Sequence, residues 1–388
     1  MNSDHGIIVL GGGIGGLATA LALARHGARV TVLEQAEAIT EVGSGIQVSP
    51  NGLRVVEALG LGEAFRAASV AGRAVSLRDH ASGREVLRLD LAGLAPGQEY
   101  RFIHRADLVD LLAGAVRAAG VTIRLLQKAV TVEPGAPARV HLANGDTTGA
   151  GLVIGADGLH SVARAALNGT IAPFFTGQVA WRALVPNDSA HPAEARVHMG
   201  PGRHMVSYPL RGGALVNLVA VEERRDWVEE GWSRMGDPAD LRARFAGFKA
   251  LAPLLDRVET VGVWGLFGHP VAARWWGEGV ALLGDAAHPT LPFLAQGANM
   301  ALEDAWTLAA CLAEAEQAQA LAHYQALRRD RVSRVIAAAN GNAWKYHLRN
   351  PLVRGVAHLG LGVLGRLAPE RMLHQFDWIY GHDVTRSV

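Results

Sequence analysis

A glycine-rich turn near the start of the chain constrains the fold more than any other feature. Gly11-Gly12-Gly13-Ile14-Gly15-Gly16 fits the pattern G-x-G-x-x-G, with its glycines at 11, 13 and 16. The turn follows the apolar run Ile7-Ile8-Val9-Leu10, which is typical of a buried parallel strand, and it opens a segment with apolar residues at helical spacing. This order predicts the first half of a βαβ unit, with the positive end of the helix facing a diphosphate.

The next strand ends in a carboxylate that narrows the choice of ligand. Arg29 to Leu33 is a second apolar run, and Glu34 closes it eighteen residues after Gly16. A carboxylate here accepts hydrogen bonds from both hydroxyls of an adenosine ribose and repels a 2′-phosphate. The segment therefore predicts a site for FAD or NAD. The residues expected around the ADP half are Gly11, Gly13, Ile14, Gly15, Gly16 and Glu34.

Two later segments favour FAD over NAD. Gly155-Ala156-Asp157 follows the apolar run Leu152 to Ile154, and Gly284-Asp285-Ala286 follows Val280 to Leu283. Each segment places an aspartate at the carboxyl end of a predicted strand, where open α/β sheets bind ligands. A simple NAD dehydrogenase does not need a second turn of this kind to hold a long ribityl chain. FAD is therefore the predicted cofactor.

Together these segments resemble the class A flavoprotein monooxygenases, the family of para-hydroxybenzoate and salicylate hydroxylases. Residues 289–298 and the ending Asp377-Trp378-Ile379-Tyr380-Gly381 resemble its salicylate, 3-hydroxybenzoate 6-hydroxylase and 6-hydroxynicotinate branch. The likeness runs over nearly the whole chain in the same order. It implies hydroxylation of a phenolic or heteroaromatic acid, with NADH or NADPH reducing FAD and O2 supplying the oxygen.

The resemblance also implies roles for single residues around the cofactor. Asp157 belongs to the family's motif for FAD and pyridine nucleotide, Asp285 binds the ribityl chain, and Arg105 lies near the flavin's phosphate and ribityl region. The positions expected beside or along the isoalloxazine ring are Gly45, Gln47, Pro292, Gly297 and Ala298. The residues themselves leave two alternatives open: Asp157 can cap a helix beginning near Leu159, and Arg105 can be a surface cation.

Candidate catalytic side chains lie on one predicted strand, residues 204–209. His204 and Tyr208 are four residues apart, so they point to the same face of that strand. With an ordinary pKa of about 6.5, His204 can act as the base that activates a phenolic hydroxyl. Tyr208 can bind a polar group of the substrate, and Gln296 can hydrogen-bond the substrate or the flavin. The alternatives are a solvated or core histidine at a sheet edge, a packed tyrosine and a helix cap.

One neighbouring position departs from the family pattern. Ser207 stands where the closer relatives often carry histidine, so their substrate does not transfer directly to this chain. Two other functions stay open. An FAD-dependent reductase or oxidase needs a longer apolar cavity, against which the polar His204 and Gln296 argue. A non-catalytic flavin-binding redox sensor does not need all three cofactor segments.

Composition sets the broad class. The 388 residues are 49% hydrophobic and 19% charged, with a net charge of +1, which indicates a globular protein without a surface for nucleic acid. Cys311 is the single cysteine, which excludes an intramolecular disulfide and favours the cytoplasm. The sequence contains neither of the metal-binding patterns H-x-x-x-H and H-E-x-x-H. The apolar stretch from Val353 to Ala368 contains three basic residues, so it favours a core or partner-facing helix over a membrane-surface segment. It predicts a possible homodimer and no stable membrane insertion.

The predicted fold class is α/β: a Rossmann-like FAD-binding domain with an interleaved β-rich substrate domain and a helical C-terminus. The FAD-binding domain is expected to be discontinuous, with residues 1–72, 100–173 and 275–335. The β-rich domain takes residues 73–99 and 174–274, where alternating patterns and turn signals dominate. Residues 336–388 form the C-terminal helices.

Overall fold

A computed structural model describes residues 6–39, 44–224, 226 and 234–386, with the side chains of 342–344 left out. Its strands, in chain order, are β1 Ile7–Leu10, β2 Val30–Leu33, β3 Gly45–Val48, β4 Ser69–Ala71, β5 Ala74–Asp79, β6 Glu85–Asp90, β7 Arg101–His104, β8 Thr122–Arg124, β9 Ala129–Glu133, β10 Ala138–Leu142, β11 Thr147–Ala150, β12 Leu152–Gly155, β13 Phe174–Pro186, β14 Glu194–Gly200, β15 Arg203–Leu210, β16 Leu215–Glu223, β17 Met235–Gly236, β18 Val261–Gly268, β19 Trp276–Gly277 and β20 Val280–Leu282.

The α-helices of the same ranges are α1 Ile14–Arg25, α2 Pro50–Ala58, α3 Gly62–Ala68, α4 Arg105–Ala118, α5 Val162–Asn168, α6 Pro238–Arg244, α7 Ala252–Leu255, α8 Gly297–Glu314, α9 Gln317–Tyr346, α10 Pro351–Leu367, α11 Pro369–His374 and α12 Asp377–Tyr380. A short 3-10 turn at Pro292–Leu294 precedes α8. The mixture of elements confirms the predicted α/β fold class and the helical C-terminus.

A six-stranded sheet, in the order β19-β20-β12-β1-β2-β8, carries the nucleotide-binding motifs. Strand β1 pairs in parallel with β2 and β12, and β12 pairs in parallel with β20. All four residues of β1 are buried, as expected of an apolar run covered on both faces. Because these strands are parallel, their carboxyl ends meet at one edge. The glycine turn, Asp157 and Asp285 therefore lie along the same edge, although about 270 residues separate the first from the last.

An eight-stranded sheet, in the order β17-β18-β13-β16-β15-β14-β5-β6, forms the β-rich part. Its pairs are antiparallel except β5 with β14, which run in parallel. Strand β15, which carries His204 and Tyr208, lies inside this sheet between β14 and β16. The domain boundaries drawn from the sequence stay a prediction.

One local expectation was wrong. The helix after Asp157 begins at Val162 and not near Leu159, because Gly158 takes a positive φ of 75° and Ser161 caps the helix by accepting a hydrogen bond from the Arg164 amide. In contrast, Gly27 ends the first helix with a positive φ of 80°, as the sequence predicts.

Helix α10 is amphipathic, and its apolar side faces solvent. Leu352, Val356, Leu359 and Leu367 are 68–79% exposed, whereas His358 is buried. The helix is therefore not a core helix, and its exposed apolar side fits a partner-facing helix or a membrane-surface segment. Within the described ranges, no helix is long and apolar enough to cross a membrane.

A fully buried group of charges joins α8 to α9. The consecutive residues Glu303 and Asp304 have no exposed surface, and Arg328 lies between their carboxylates. Its Nη1 is 2.6 Å from Glu303 Oε2, and its Nε donates to Asp304 Oδ1 at 2.8 Å. Arg331 donates to Glu303 Oε1 at 2.7 Å. Buried carboxylates are tolerated when cations and hydrogen bonds compensate them in this way.

The same two carboxylates also bind the segment after β20 and helix α2. Asp304 Oδ2 accepts hydrogen bonds from the Gly284 amide at 3.0 Å and from His288 Nε2 at 2.5 Å. Glu303 Oε1 accepts from Asn51 Nδ2 at 2.6 Å. Burial alone raises a carboxyl pKa, but the positive charges around these two lower each pKa to about 2. His288, expected from the sequence to be structural, is part of this group.

Replacing Arg328 with methionine tests how strongly these charges stabilise the fold. Arg328→Met keeps the length of the side chain but leaves two buried carboxylates without their main cation, so the free energy of unfolding should fall by about 3–5 kcal/mol at pH 7. Arg329→Met, at the exposed neighbouring position, should change it by less than about 0.5 kcal/mol. Urea unfolding of the FAD-saturated proteins measures both.

The difference in free energy of unfolding between wild type and Arg328→Met should depend on pH in a definite direction. Because both carboxyl pKa values are lowered in the folded state, their contribution is complete above their ordinary pKa of about 4 and is lost as pH falls towards 2. The gap between wild type and Arg328→Met should therefore narrow over that range. Equal stabilities at pH 7 would contradict a stabilising role for the group.

Candidate flavin and substrate site

The glycine turn has the close approaches that the sequence pattern requires. Gly11 has a φ of +102°, and a Cβ added there would lie 2.5 Å from the carbonyl oxygen of Ala156. A Cβ on Gly16 would collide with the carbonyl of Gly11. At Gly13, by contrast, an added Cβ would meet no protein atom within 4 Å. The turn is thus tight on its inner side and open at Gly13, which fits a backbone approached by a diphosphate.

Glu34 is oriented by two backbone amides. Its Oε2 accepts a hydrogen bond from the Gly12 amide at 2.6 Å, and its Oε1 accepts from the Ala36 amide at 2.8 Å. The carboxylate therefore stands directly beside the glycine turn at the end of β2. This position fits a ribose that is attached to a diphosphate on the turn.

Asp157 combines the two roles that the sequence left open. Its Oδ2 accepts hydrogen bonds from the Val162 amide at 2.9 Å and the Ala163 amide at 3.4 Å, so it helps to cap α5. Its Oδ1 is buried and has no hydrogen-bond partner in the part of the chain that the structure describes. Burial raises the pKa of this carboxyl. An unmatched buried oxygen at the nucleotide-binding edge fits a hydrogen bond from a ligand.

Asp285 and Arg105 come together from distant parts of the sequence. Asp285 is exposed to solvent, but the protein groups packed around its carboxyl reduce its hydration, and this raises its pKa. His288, and then Arg105 at the start of α4, act on the Asp285 pKa in the opposite direction. A carboxylate beside an arginine at the end of parallel strands fits a ribityl chain ending in phosphate.

The loop before α8 is fixed by buried amides. Gln296 Nε2 donates to Ser49 Oγ at 2.9 Å, and Gln296 Oε1 accepts from Asn51 Nδ2 at 3.1 Å. Both polar groups of this side chain are thus engaged inside the protein. They hold the turn that carries Pro292 and the first residues of α8, Gly297 and Ala298, against α2.

Strand β3 lies against the strand that carries the candidate catalytic residues. A Cβ added to Gly45 would lie 2.5 Å from the Tyr208 ring, and the Gly45 amide donates to Asn217 Oδ1 at 2.9 Å. Gln47 Oε1 accepts from the Tyr100 hydroxyl at 2.8 Å. Tyr208 itself is 3% exposed, and burial raises its pKa, so its hydroxyl is a neutral donor at neutral pH.

His204 lies in an aromatic environment at the other end of β15. It is 3% exposed, and its ring centre is 5.7 Å from Phe293 and 5.3 Å from Tyr346. Its Nδ1 is 2.7 Å from Nε2 of His347, which follows α9. Burial, and then the nearby His347, lower the His204 pKa well below 6.5. His204 is therefore neutral at pH 7 and able to accept a proton.

The structure places the candidate cofactor residues along one sheet edge and the candidate catalytic residues His204 and Tyr208 on strand β15. The glycine turn, Glu34, Asp157, Asp285 and Arg105 lie along the edge of the six-stranded sheet. His204 lies against the turn at Phe293, and Tyr208 lies against β3. Sequence reasoning missed His347, because a histidine 143 residues away at the end of a helix has no spacing signal. It also missed Asn51 and Asn217, whose partners are equally remote in the sequence.

The residues along this edge fit the binding site of a flavoprotein oxidoreductase. A family model described as FAD binding domain matches residues 4–339, and the chain belongs to this family. It is 38% identical to 3-amino-4-hydroxybenzoate 2-monooxygenase of Streptomyces cremeus over 90% of this chain and 89% of that protein. It is 34% identical to 3-hydroxybenzoate 6-hydroxylase of Klebsiella oxytoca over 96% of each.

A solved structure gives the same result for the fold. Klebsiella pneumoniae HpxO complexed with FAD and uric acid aligns with a TM-score of 0.84 and 27% identity, over 95% of each chain. The predicted resemblance to the FAD-dependent aromatic hydroxylases is confirmed, and with it FAD as the cofactor and NAD(P)H as the co-substrate.

Gly13→Ala separates cofactor binding from folding. Since an added Cβ meets no protein atom, the free energy of unfolding of the FAD-free protein should change by at most about 1 kcal/mol. If the FAD diphosphate lies against this backbone, the methyl group overlaps it at a cost of about 1–3 kcal/mol, a roughly ten- to hundredfold loss of affinity. Titration of FAD fluorescence measures this.

Gly114→Ala is the matched control, because an added Cβ in this part of α4 also meets nothing within 4 Å. It should leave FAD affinity unchanged. Equal FAD affinity in the two variants would mean that the diphosphate lies elsewhere.

Proposed function

We propose that this protein hydroxylates the ring of a phenolic or heteroaromatic acid, using NADH or NADPH and O2. The observation that carries the proposal is a neutral, buried histidine held between the flavin-side turn and the β-rich sheet, with a tyrosine hydroxyl on the same strand face. Bound FAD would take the reducing equivalents from NADH or NADPH and use them to activate O2. The protein supplies the orientation of the ring, the removal of a proton and the exclusion of water.

His204 is the proposed base. Removing the phenolic proton makes the ring electron-rich at the positions ortho and para to the oxygen, which is where an electrophilic oxygen is accepted. His204 suits this step because its lowered pKa keeps it unprotonated, and because the rings of Phe293 and Tyr346 keep bulk water away. A neutral base in an apolar site takes a proton only from a donor placed against it.

Tyr208 and Gln296 are proposed to act beside His204. Tyr208 can donate a hydrogen bond to a carboxylate or hydroxyl of the substrate. Gln296 is engaged with Ser49 and Asn51, so its proposed part is to hold the turn along the flavin ring. A contact of Gln296 with substrate, as considered from the sequence, would require one of these two hydrogen bonds to break.

The expected cellular setting is the cytoplasm, where NAD(P)H is available and a lone buried cysteine stays reduced.

A homodimer through α10 is also proposed. The exposed residues Leu352, Val356, Leu359, Val363 and Leu367 recur at helical spacing and form one stripe without charged residues. A stripe of this kind is self-complementary across a two-fold axis.

Substrate-stimulated oxidation of NADH and NADPH tests the activity. The FAD-loaded protein should oxidise one of them faster with a member of a panel of hydroxybenzoates, 3-amino-4-hydroxybenzoate, salicylate and hydroxynicotinates, and the product should be one oxygen heavier by mass spectrometry. In His204→Ala, kcat should fall by about 10²–10⁴ while FAD stays bound. Benzoate, which lacks the phenol, serves as the control and should give no hydroxylated product.

Oxidation that yields only hydrogen peroxide with every phenol of the panel would contradict a phenolic-acid substrate. An unchanged kcat in His204→Ala at every pH would remove His204 as the base but leave the class of reaction standing.

Charge on the α10 stripe tests the dimer. Sedimentation of the wild-type protein at micromolar concentration should give a dimer. Val356→Glu places a charge in the stripe and should give a monomer with unchanged helix content by circular dichroism. Glu370→Gln, a change of charge outside the stripe, is the control and should remain dimeric. A monomeric wild type would contradict the proposal.

A further inference from the structure

A line of hydrogen bonds leads from His204 to the surface. His204 Nδ1 is 2.7 Å from His347 Nε2, and His347 Nδ1 is 3.0 Å from Glu223 Oε1. Arg349 Nη2 donates to the other oxygen of Glu223 at 2.6 Å. The two histidines are each 3% exposed, whereas the Arg349 side chain is 68% exposed. The line therefore begins in the candidate substrate site and ends in solvent.

The acceptor at the outer end fixes the direction of every bond in the line. Arg349 and His347 lower the pKa of Glu223 against the effect of burial, so this carboxylate is ionised at pH 7 and can only accept. His347 must then donate from Nδ1, and in its neutral form its Nε2 accepts. His204 consequently donates from Nδ1 to His347. The free lone pair of His204 is on Nε2, the nitrogen left for the substrate.

We propose that His347 and Glu223 form a proton relay that transfers to solvent the proton taken up by His204. When His204 Nε2 accepts the phenolic proton, its Nδ1 proton moves to His347 Nε2. The Nδ1 proton of His347 then moves to Glu223, from which water removes it. One proton enters and one leaves, no bond to carbon changes, and nothing is oxidised or reduced. The inference rests on the proposed function, in which His204 is the base.

The surroundings explain why a relay is needed. His204 has aromatic neighbours in Phe293 and Tyr346, which do not stabilise a positive charge as water does. An imidazolium there is costly, and the phenolate would take the proton back. The charged groups near His347 are Glu223, Arg349 and Arg203, and only Glu223 can take a proton from it. His347 is accordingly a positioning residue, since it acts through His204.

A purely structural role is the alternative that an experiment must separate. The carbonyl of His347 accepts a hydrogen bond from the Gly202 amide at 3.1 Å, so this segment also ties the end of α9 to the turn before β15. Loss of that tie would weaken folding and binding together. Loss of a relay would leave both intact and change only the ionisation of the bound phenol and the turnover.

His347→Gln is the variant that makes this separation. A glutamine amide can still accept from His204 and donate to Glu223, but it does not carry a proton. With 3-amino-4-hydroxybenzoate as the first probe, the ultraviolet difference spectrum of phenol bound to the FAD-loaded protein reports its ionisation. Affinities for FAD and for the phenol should stay within about threefold. The pH at which the bound phenol ionises should rise by about one unit or more, a tenfold change in its ionisation constant.

The turnover number should fall in the variants that impair ionisation of the bound phenol. In His347→Gln, kcat should fall at least about tenfold with KM little changed, which is less than the loss in a variant that lacks the base itself. Glu223→Gln should act in the same direction. His198→Gln is the matched control: it is another 3% exposed histidine, on β14, outside the line, and all these readouts should equal wild type.

The outcomes distinguish the relay from the function on which it rests. If His204→Gln abolishes ionisation of the bound phenol while His347→Gln behaves as wild type, the relay is wrong and the base stands. If neither variant alters ionisation, His204 is not the base. Should His347→Gln fail to fold, nitrogen-15 spectra of the wild-type imidazoles decide: both histidines should carry their proton on Nδ1, and a proton on Nε2 of His204 would overturn the proposal.

Discussion

The buried pair Glu303 and Asp304 is the interaction on which the site depends. Two adjacent carboxylates without solvent contact are unfavourable unless cations surround them, and Arg328 and Arg331 of α9 supply those charges. The same carboxylates also accept hydrogen bonds from the turn after β20 and from α2. The loops on the flavin side are thus set by charges in the core of the helical layer.

The sequence predicted those elements whose conformation is determined by residues close together in the chain. The strand, glycine turn and helix from Ile7 to Arg25, and the two aspartates that follow β12 and the strand β20, are recognisable because each needs only its own neighbours in the chain. Parallel pairing then places them at one edge without further information. The alternation in residues 74–90 likewise predicted strands, because period two is a property of the segment itself.

What the sequence did not reveal depends on pairs of residues far apart in the chain. Nothing around Gln296 indicates that Ser49 and Asn51 engage its amide, and nothing around His204 indicates His347. Such contacts are set by how the layers pack, and a single sequence contains no record of that packing. Asp157 lies between these cases, since the capping of α5 was foreseeable whereas its unmatched second oxygen was not.

Helix α9 connects two parts of the molecule that have been described separately. Arg328 and Arg331 anchor its middle in the ionic core, and its last residue, Tyr346, lies against His204. From Arg331 to Tyr346 an unbroken helix is a stiff rod of about 22 Å. The distance between the anchor of the flavin loops and the pair of histidines is therefore a fixed length. Helix α9 therefore sets the spacing between the ionic core, which is bonded to the nucleotide-binding edge, and the candidate base His204, although the edge and the candidate base are built on different sheets.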